Sequence, residues 1–279
     1  MGVVEWLYSA KTELKEEHTP LKRSVDFSDF RRVTDFIYIE SGITDLDKRA
    51  LTASHLKSYA QEQGIYTTDE FLEKMREKGE FYQEVMNIAT VNESFFLREK
   101  KELEWLVSYV KRSESVLDIL VLPCSTGEEV YSIILLLLEE NISLDKINIS
   151  GFDLSLEAIM SAKRAEYDEH SIHKIEYSIR EKYFTKNERA LYTLLPPLKD
   201  KANFYQANIF EIDSSTKSYD IVLSRNMFIY FDDENRERAL DIIVSILKPN
   251  GIYIKGHADY IKKHPSLVNI THGIYSKQI

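Results

Sequence analysis

Four short segments of this chain place acids, amides or hydroxyls directly after an apolar run. In an open α/β sheet that is where strands present groups to a ligand. The first is Pro123-Cys124-Ser125-Thr126-Gly127-Glu128-Glu129, which leads straight into an apolar helical pattern. With one glycine and two acids it makes a poor phosphate cradle, because carboxylates repel a pyrophosphate. A carboxylate such as Glu128 either faces a ligand ammonium or simply favours a helix N-terminus through the dipole. The second segment is Gly151-Phe152-Asp153, with Ser155 as a cap for the next helix. An acid at the end of a second strand accepts hydrogen bonds from ribose hydroxyls in dinucleotide-binding folds; the plainer alternative is an ordinary strand-to-helix turn. The third, Asn208-Ile209, offers an amide and an apolar contact of the kind an adenine ring needs. The fourth runs Ser224-Arg225-Asn226-Met227-Phe228-Ile229-Tyr230-Phe231-Asp232. Its Phe228 and Phe231 are packing residues by default, and Arg225 suits either a ligand or a structural ion pair.

These segments need a scaffold, and the hydrophobic periodicity supplies one. After residue 90 short apolar runs alternate with amphipathic stretches, the pattern of a mainly parallel α/β sheet. Strands are predicted at 116–122, 147–153, 203–207, 219–224 and 252–255, and helices at 127–140, 155–165 and 234–247. Asp233 is expected to cap the last helix and Lys248-Pro249-Asn250-Gly251 to stop it. Residues 168–202 interrupt the alternation yet carry their own apolar residues, so they read as a small inserted subdomain. Before residue 90 the period is helical throughout. Phe27, Phe30, Val33 and Ile37 share one face, Ala50, Ala53, Leu56 and Ala60 another, and shorter helices follow at 71–75 and 81–88. The expected division is an extension over 1–19, a helical domain over 20–89 and a sheet domain over 90–279. Asn92-Glu93-Ser94-Phe95-Phe96-Leu97-Arg98-Glu99 joins the last two, with Phe96, Leu103, Val107 and Val110 facing inward.

Composition narrows the function classes. Against 36 Lys and Arg stand 46 Asp and Glu, a formal charge of −10, so a general nucleic-acid binder is not expected. The single cysteine, Cys124, builds neither a disulfide framework nor a cysteine metal cluster, and the seven histidines show no metal-ligand spacing, so no metal is expected. Residues 1–10 lack a basic region followed by a long apolar core, and the longest apolar run, 133–138, falls far short of the roughly 18 residues that span a bilayer. A cytoplasmic protein without membrane insertion is expected, monomeric by default.

Taken together and in order, these segments resemble the CheR-type chemotaxis methyltransferases over residues 20–276. The features that carry the resemblance are Asn92 to Glu99, Cys124-Ser125-Thr126-Gly127-Glu128-Glu129-x-Tyr131-Ser132, Phe152-Asp153-Leu154 and Ser224-Arg225-Asn226-x-x-Ile229-Tyr230-Phe231-Asp232. Leu247-Lys248-Pro249-Asn250-Gly251 and Gly256-His257 add to them. The resemblance implies a Rossmann-like S-adenosylmethionine-dependent methyltransferase domain with a small inserted β-subdomain, preceded by an all-helical domain. It implies methyl transfer to glutamate carboxylates on the cytoplasmic domain of chemotaxis receptors, with S-adenosylhomocysteine as product. Cofactor contacts are implied at Asn92, Ser94, Arg98, Glu128, Asp153, Asn208, Ile209, Asn226 and Met227. Arg98 and Tyr230 fall where the family keeps residues close to the reacting methyl. The chain departs from the family pattern at Ser94, Pro123, Val130 and Ala258-Asp259. Two other readings stay open: a different protein or small-molecule acceptor, and a regulatory module that binds the cofactor without catalysis. Arg31, Arg32, Lys48, Arg49 and Lys57 form either a basic face for an acidic receptor helix or an ordinary solvated face.

Overall fold

The computed structural model describes residues 24–46, 49–90, 93–213 and 215–278. The expected extension over 1–19, together with Lys48 and Asn92, lies outside them. Four helices come first: α1 (Arg31–Ser41), α2 (Ala50–Glu62), α3 (Thr68–Arg76) and α4 (Glu80–Ala89). Their apolar faces close on one another through Phe30, Val33, Ile37, Leu56, Ala60, Phe71, Met75 and Phe81, all buried. Helix α3 begins at a reciprocal cap: Thr67 accepts from the Glu70 N–H, and Glu70 accepts from the Thr67 N–H.

Helix α5 (Lys100–Arg112) leads into the sheet. Strands β1 (Leu117–Val121), β2 (Ile147–Asp153), β6 (Ala202–Gln206), β7 (Tyr219–Ser224), β8 (Leu247–Lys255), β9 (Leu267–Thr271) and β10 (Ile274–Lys277) form it in the order β6-β2-β1-β7-β8-β10-β9. The first five run parallel; β10 is antiparallel to both β8 and β9. Crossover helices α6 (Glu128–Glu139), α7 (Leu156–Arg164) and α11 (Asp233–Ile246) cover the faces. Alternation along the strands assigns the two cores. Ile119, Val121, Ile221, Leu223, Ile252 and Ile254 pack with α5 and α6, whereas Leu120, Leu122, Val222 and Tyr253 pack with α11. Helix α6 is apolar nearly all round because residues on every side of it, from Val130 to Leu137, are buried. Between β2 and β6, a separate three-stranded antiparallel sheet forms from β3 (Glu166–Tyr167), β4 (Phe184–Lys186) and β5 (Tyr192–Leu194). Short helices α8 (Glu169–Ile172), α9 (Tyr177–Tyr183) and α10 (Pro196–Lys199) accompany it.

Two local expectations are corrected. The cap of α11 is Asp232, whose side chain accepts from the Asn235 N–H at 2.9 Å, while Asp233 is the first helical residue. The helix does stop there, at Ile246, but the last strand starts earlier than expected: Lys248-Pro249-Asn250-Gly251 already belongs to β8, where the register against β7 shifts between Tyr219 and Ile221. Pairing begins immediately after the helix, and the irregularity absorbs the proline.

The helical unit is docked across the carboxyl ends of the strands. Tyr38 donates to Asp232 at 2.8 Å, Asn208 donates to the Glu40 carbonyl at 2.6 Å, and Ser155 donates to Asn87 at 2.9 Å. Thr44 donates twice to the Tyr230 carbonyl, from its N–H and its hydroxyl. Gly42 ends α1 with φ of 72°, and a Cβ there would sit 2.6 Å from the Phe210 ring. Left-handed backbone and close approach both require glycine. Gly42→Ala is expected to cost about 1–3 kcal/mol, read as a lowered thermal midpoint.

Candidate functional site

One pocket opens at the carboxyl ends of β1, β2, β6 and β7, the point where the strand order reverses. Ser94, Arg98, Asp153, Asn208, Ile209, Asn226, Met227 and Tyr230 all line it. Residues 92 and 230 thus stand in different relation to the structure, since Asn92 lies outside the described residues. The helical unit supplies the roof through Ser41, Ile43, Ala89 and Thr90, residues with no distinguishing chemistry in the sequence.

Asp153 ends β2 and is buried. One carboxylate oxygen accepts from the Ser125 N–H at 2.8 Å and the other from the Ser155 N–H at 2.9 Å. Burial raises its pKa from 3.8 to about 6, and those backbone N–H groups oppose the rise. The carboxylate therefore ties the first loop to the second strand and still faces the pocket.

The two acids of the first loop part company. Glu128 does not line the pocket: Thr126 donates to its carboxylate, with distances of 2.7 and 2.8 Å to the two oxygens. Burial raises its pKa, and Thr126 works against that. Glu129 does line the pocket. A helical step of about 100° separates the two directions, and spacing in the sequence does not tell which residue points inward. Glu129 Oε2 accepts from Arg225 at 2.6 Å, while Oε1 is buried with no hydrogen-bond partner. Its pKa is raised by burial, against the pull of Arg225.

Arg225 is structural here. Buried at the end of β7, it bridges Glu129, Glu99 and the Arg98 carbonyl, and so fixes the start of α5 against the sheet. Asn226 follows with φ of 61°. The backbone there is held by Asp259, which accepts from the N–H groups of Asn226 at 2.5 Å, Phe228 at 2.9 Å and Gly256 at 3.2 Å. Gly256 has no alternative, because a Cβ would lie 2.8 Å from both the Asn226 nitrogen and an Asp259 oxygen. Asp259 was visible in the sequence only as a departure from the family pattern. Burial raises its pKa to about 6 despite these donors.

Arg98 donates to the Glu93 carbonyl at 3.1 Å and rests over the Phe95 ring. Tyr230 is partly buried; burial raises its phenol pKa, and the Arg49 and Arg98 charges pull it down. Asn208 commits its amide to Glu40 and its oxygen to the Phe210 N–H, so it shapes the floor between the two units. Cys124 is buried, with its thiol pushed up by desolvation, and is not poised as a nucleophile.

This donor set fits S-adenosylmethionine. The orphaned Glu129 Oε1 has the chemistry to accept from a ligand ammonium, Asp153 suits ribose hydroxyls, and Ile209 and Met227 are apolar lining residues that suit an adenine ring, with Asn208 in the same pocket. No acid-repelled phosphate is needed. Among the described residues no helix is long and apolar enough to cross a membrane.

Comparison with known proteins agrees with this reading. Residues 92–275 match the family described as CheR methyltransferase, SAM binding domain. The chain is 32% identical over 222 residues to a chemotaxis protein methyltransferase of Campylobacter jejuni, covering 79% of this chain and 84% of that protein. It is 30% identical over 260 residues to chemotaxis protein methyltransferase 2 of Vibrio cholerae, covering 87% and 89%. A chemotaxis protein methyltransferase of Borreliella burgdorferi is 26% identical over 274 residues, covering 92% and 96%.

Proposed function

This chain belongs to the CheR methyltransferase family, and from that premise we propose that it is a protein-glutamate O-methyltransferase acting on the cytoplasmic domain of chemotaxis receptors. The observation that carries the reading is the pocket itself. A buried carboxylate with one unpartnered oxygen, a strand-end aspartate and an apolar slot share it with the Arg98 guanidinium and the Tyr230 ring.

When bound, S-adenosylmethionine supplies an electrophilic methyl group on a sulfonium. The residues of this chain have three tasks. Glu129 and Asp153 hold and orient; the roof from Ser41 to Ile43 and from Ala89 to Thr90 excludes water; Arg98 aligns the incoming carboxylate while Tyr230 narrows the approach. A glutamate acceptor is already ionised at neutral pH, so no general base is required. Placement is then the main contribution, worth on the order of 7–11 kcal/mol at best. Tyr230 is itself placed, by the two Thr44 hydrogen bonds to its carbonyl and by the Arg49 guanidinium 5.1 Å from its ring centroid.

Arg98→Ala is expected to lower kcat/KM for a receptor fragment by roughly 10²-fold, with a smaller loss of affinity for S-adenosylhomocysteine. Tyr230→Phe should show a smaller loss of the same kind. Steady-state kinetics paired with calorimetry separates the outcomes: normal turnover in both variants would remove these roles.

A further inference from the structure

Helix α5 opens immediately after Arg98, with Glu99 as its N-cap and Glu102 in its first turn. A spacing of three puts them on one side of the helix. His257, in the segment after β8, closes on that side. Its Nε2 lies 2.7 Å from Glu102 Oε1, and its backbone N–H donates to Glu99 Oε2 at 3.1 Å. One ligand atom from each of Glu99, Glu102 and His257 lies within 4.8 Å of the others. Glu102 is 5% exposed, yet its Oε2 has no hydrogen-bond partner. The hydrogen bonds at Glu99 fall on Oε2, which leaves Oε1 available.

Charge points the same way. The Arg225 guanidinium contacts Glu99 and Glu129, and no ion pair among the described residues joins it to Glu102. A buried carboxylate oxygen without a partner is costly. His257 meets only the other oxygen of Glu102, and that ring is half exposed.

We propose that Glu99, Glu102 and His257 form a binding site for a first-row divalent cation of the zinc class. One imidazole nitrogen with two carboxylates is a donor set that zinc accepts, with bonds of about 2.0–2.2 Å. A tetrahedral ion sets its ligand atoms roughly 3.3–3.6 Å apart by those bond lengths, a spacing the exposed His257 ring can reach by a small rotation. Water completes the coordination, or His272, whose ring centroid is 5.6 Å from that of His257. The sequence concealed this site because its ligands stand at 99, 102 and 257, with no histidine pair among them. Bound there, the cation pins the start of α5, next to Arg98, to the end of β8.

The test is calorimetric titration of the chelator-treated full chain with zinc chloride, and with magnesium chloride for comparison. The expected result is one zinc per chain, no comparable magnesium binding, and a rise in thermal midpoint with zinc. Glu102→Gln and His257→Ala should each weaken zinc at least about tenfold and lose the thermal rise. Circular dichroism shows whether each variant is folded. Absence of saturable zinc binding in the wild type overturns the site. So does wild-type zinc affinity in either folded variant, which would move the ion elsewhere, for instance to the stacked His170 and His173.

Discussion

Replacing Asp259 with alanine is expected to destabilise the protein by roughly 3 kcal/mol and to abolish binding of S-adenosylhomocysteine. Three backbone N–H groups, from Asn226, Phe228 and Gly256, lose their acceptor at once. Each buried donor left unmatched costs about 1–3 kcal/mol. Part of that is returned, because the carboxylate itself is unfavourably buried, as its pKa of about 6 shows. At roughly 2–4 °C per kcal/mol for a chain of this size, the thermal midpoint should fall by about 6–12 °C. The binding loss follows from geometry: Asn226 and Met227 form one wall of the pocket, and Asp259 fixes their backbone. Asp259→Asn keeps the shape and one acceptor oxygen, so it should fall between the two. An unchanged midpoint in Asp259→Ala, measured by calorimetry or circular dichroism, would remove Asp259 from this role.

Asp153→Asn is expected to weaken S-adenosylhomocysteine on the order of 10²-fold, as for two hydrogen bonds that lose their charged acceptor. The same residue sets a pH dependence. Burial raises the folded-state pKa from 3.8 to about 6, so the folded protein binds more protons than the unfolded chain between those values. The contribution of Asp153 to stability is therefore fully present below pH 3.8 and is lost as pH rises through about 6. Between pH 5 and pH 7 this amounts to roughly 1 kcal/mol. Cofactor affinity runs the other way and should fall below pH 6, as the carboxylate gains its proton. Unfolding curves for wild type and Asp153→Asn at pH 5 and pH 7 should show a smaller fall for the variant. Equal falls would contradict the buried, proton-binding carboxylate.

How much the sequence revealed depends on what kind of interaction fixes each part. Strands 147–153 and 219–224 were legible to the residue, because buried parallel strands must be apolar runs and acids or serines end them. The pair β9 and β10 was not read at all. Of the residues in those two strands only Leu267 and Ile274 are buried, so their pattern gives little signal against the loops around them. The cap of α11 was misplaced by one residue because Asp232 and Asp233 are both suitable, and only backbone direction decides between them. The same ambiguity governs the first loop. Glu128 and Glu129 are chemically equal, and the turn of α6 sends Glu129 into the pocket and Glu128 towards Thr126.

Residues joined by long-range backbone bonds were the hardest to find. Asp259 acts on Asn226 and Phe228 from more than thirty positions away, and no periodicity encodes such a contact. Arg225 was balanced between ligand and ion-pair roles in the sequence; its burial between Glu99 and Glu129 gives it the structural one. Asn208 likewise turns out to join the helical unit to the sheet through Glu40. The pocket is thus built by residues that hold the backbone as much as by those that face the ligand.

The most direct test of the account is transfer of a labelled methyl group from S-adenosylmethionine to purified cytoplasmic fragments of chemotaxis receptors. The predicted result is label on the receptor that mild base releases as methanol, the behaviour of a glutamate methyl ester, and that disappears when the acceptor glutamates are replaced by alanine. Label that withstands base, or no transfer by a protein that binds S-adenosylhomocysteine, would contradict it.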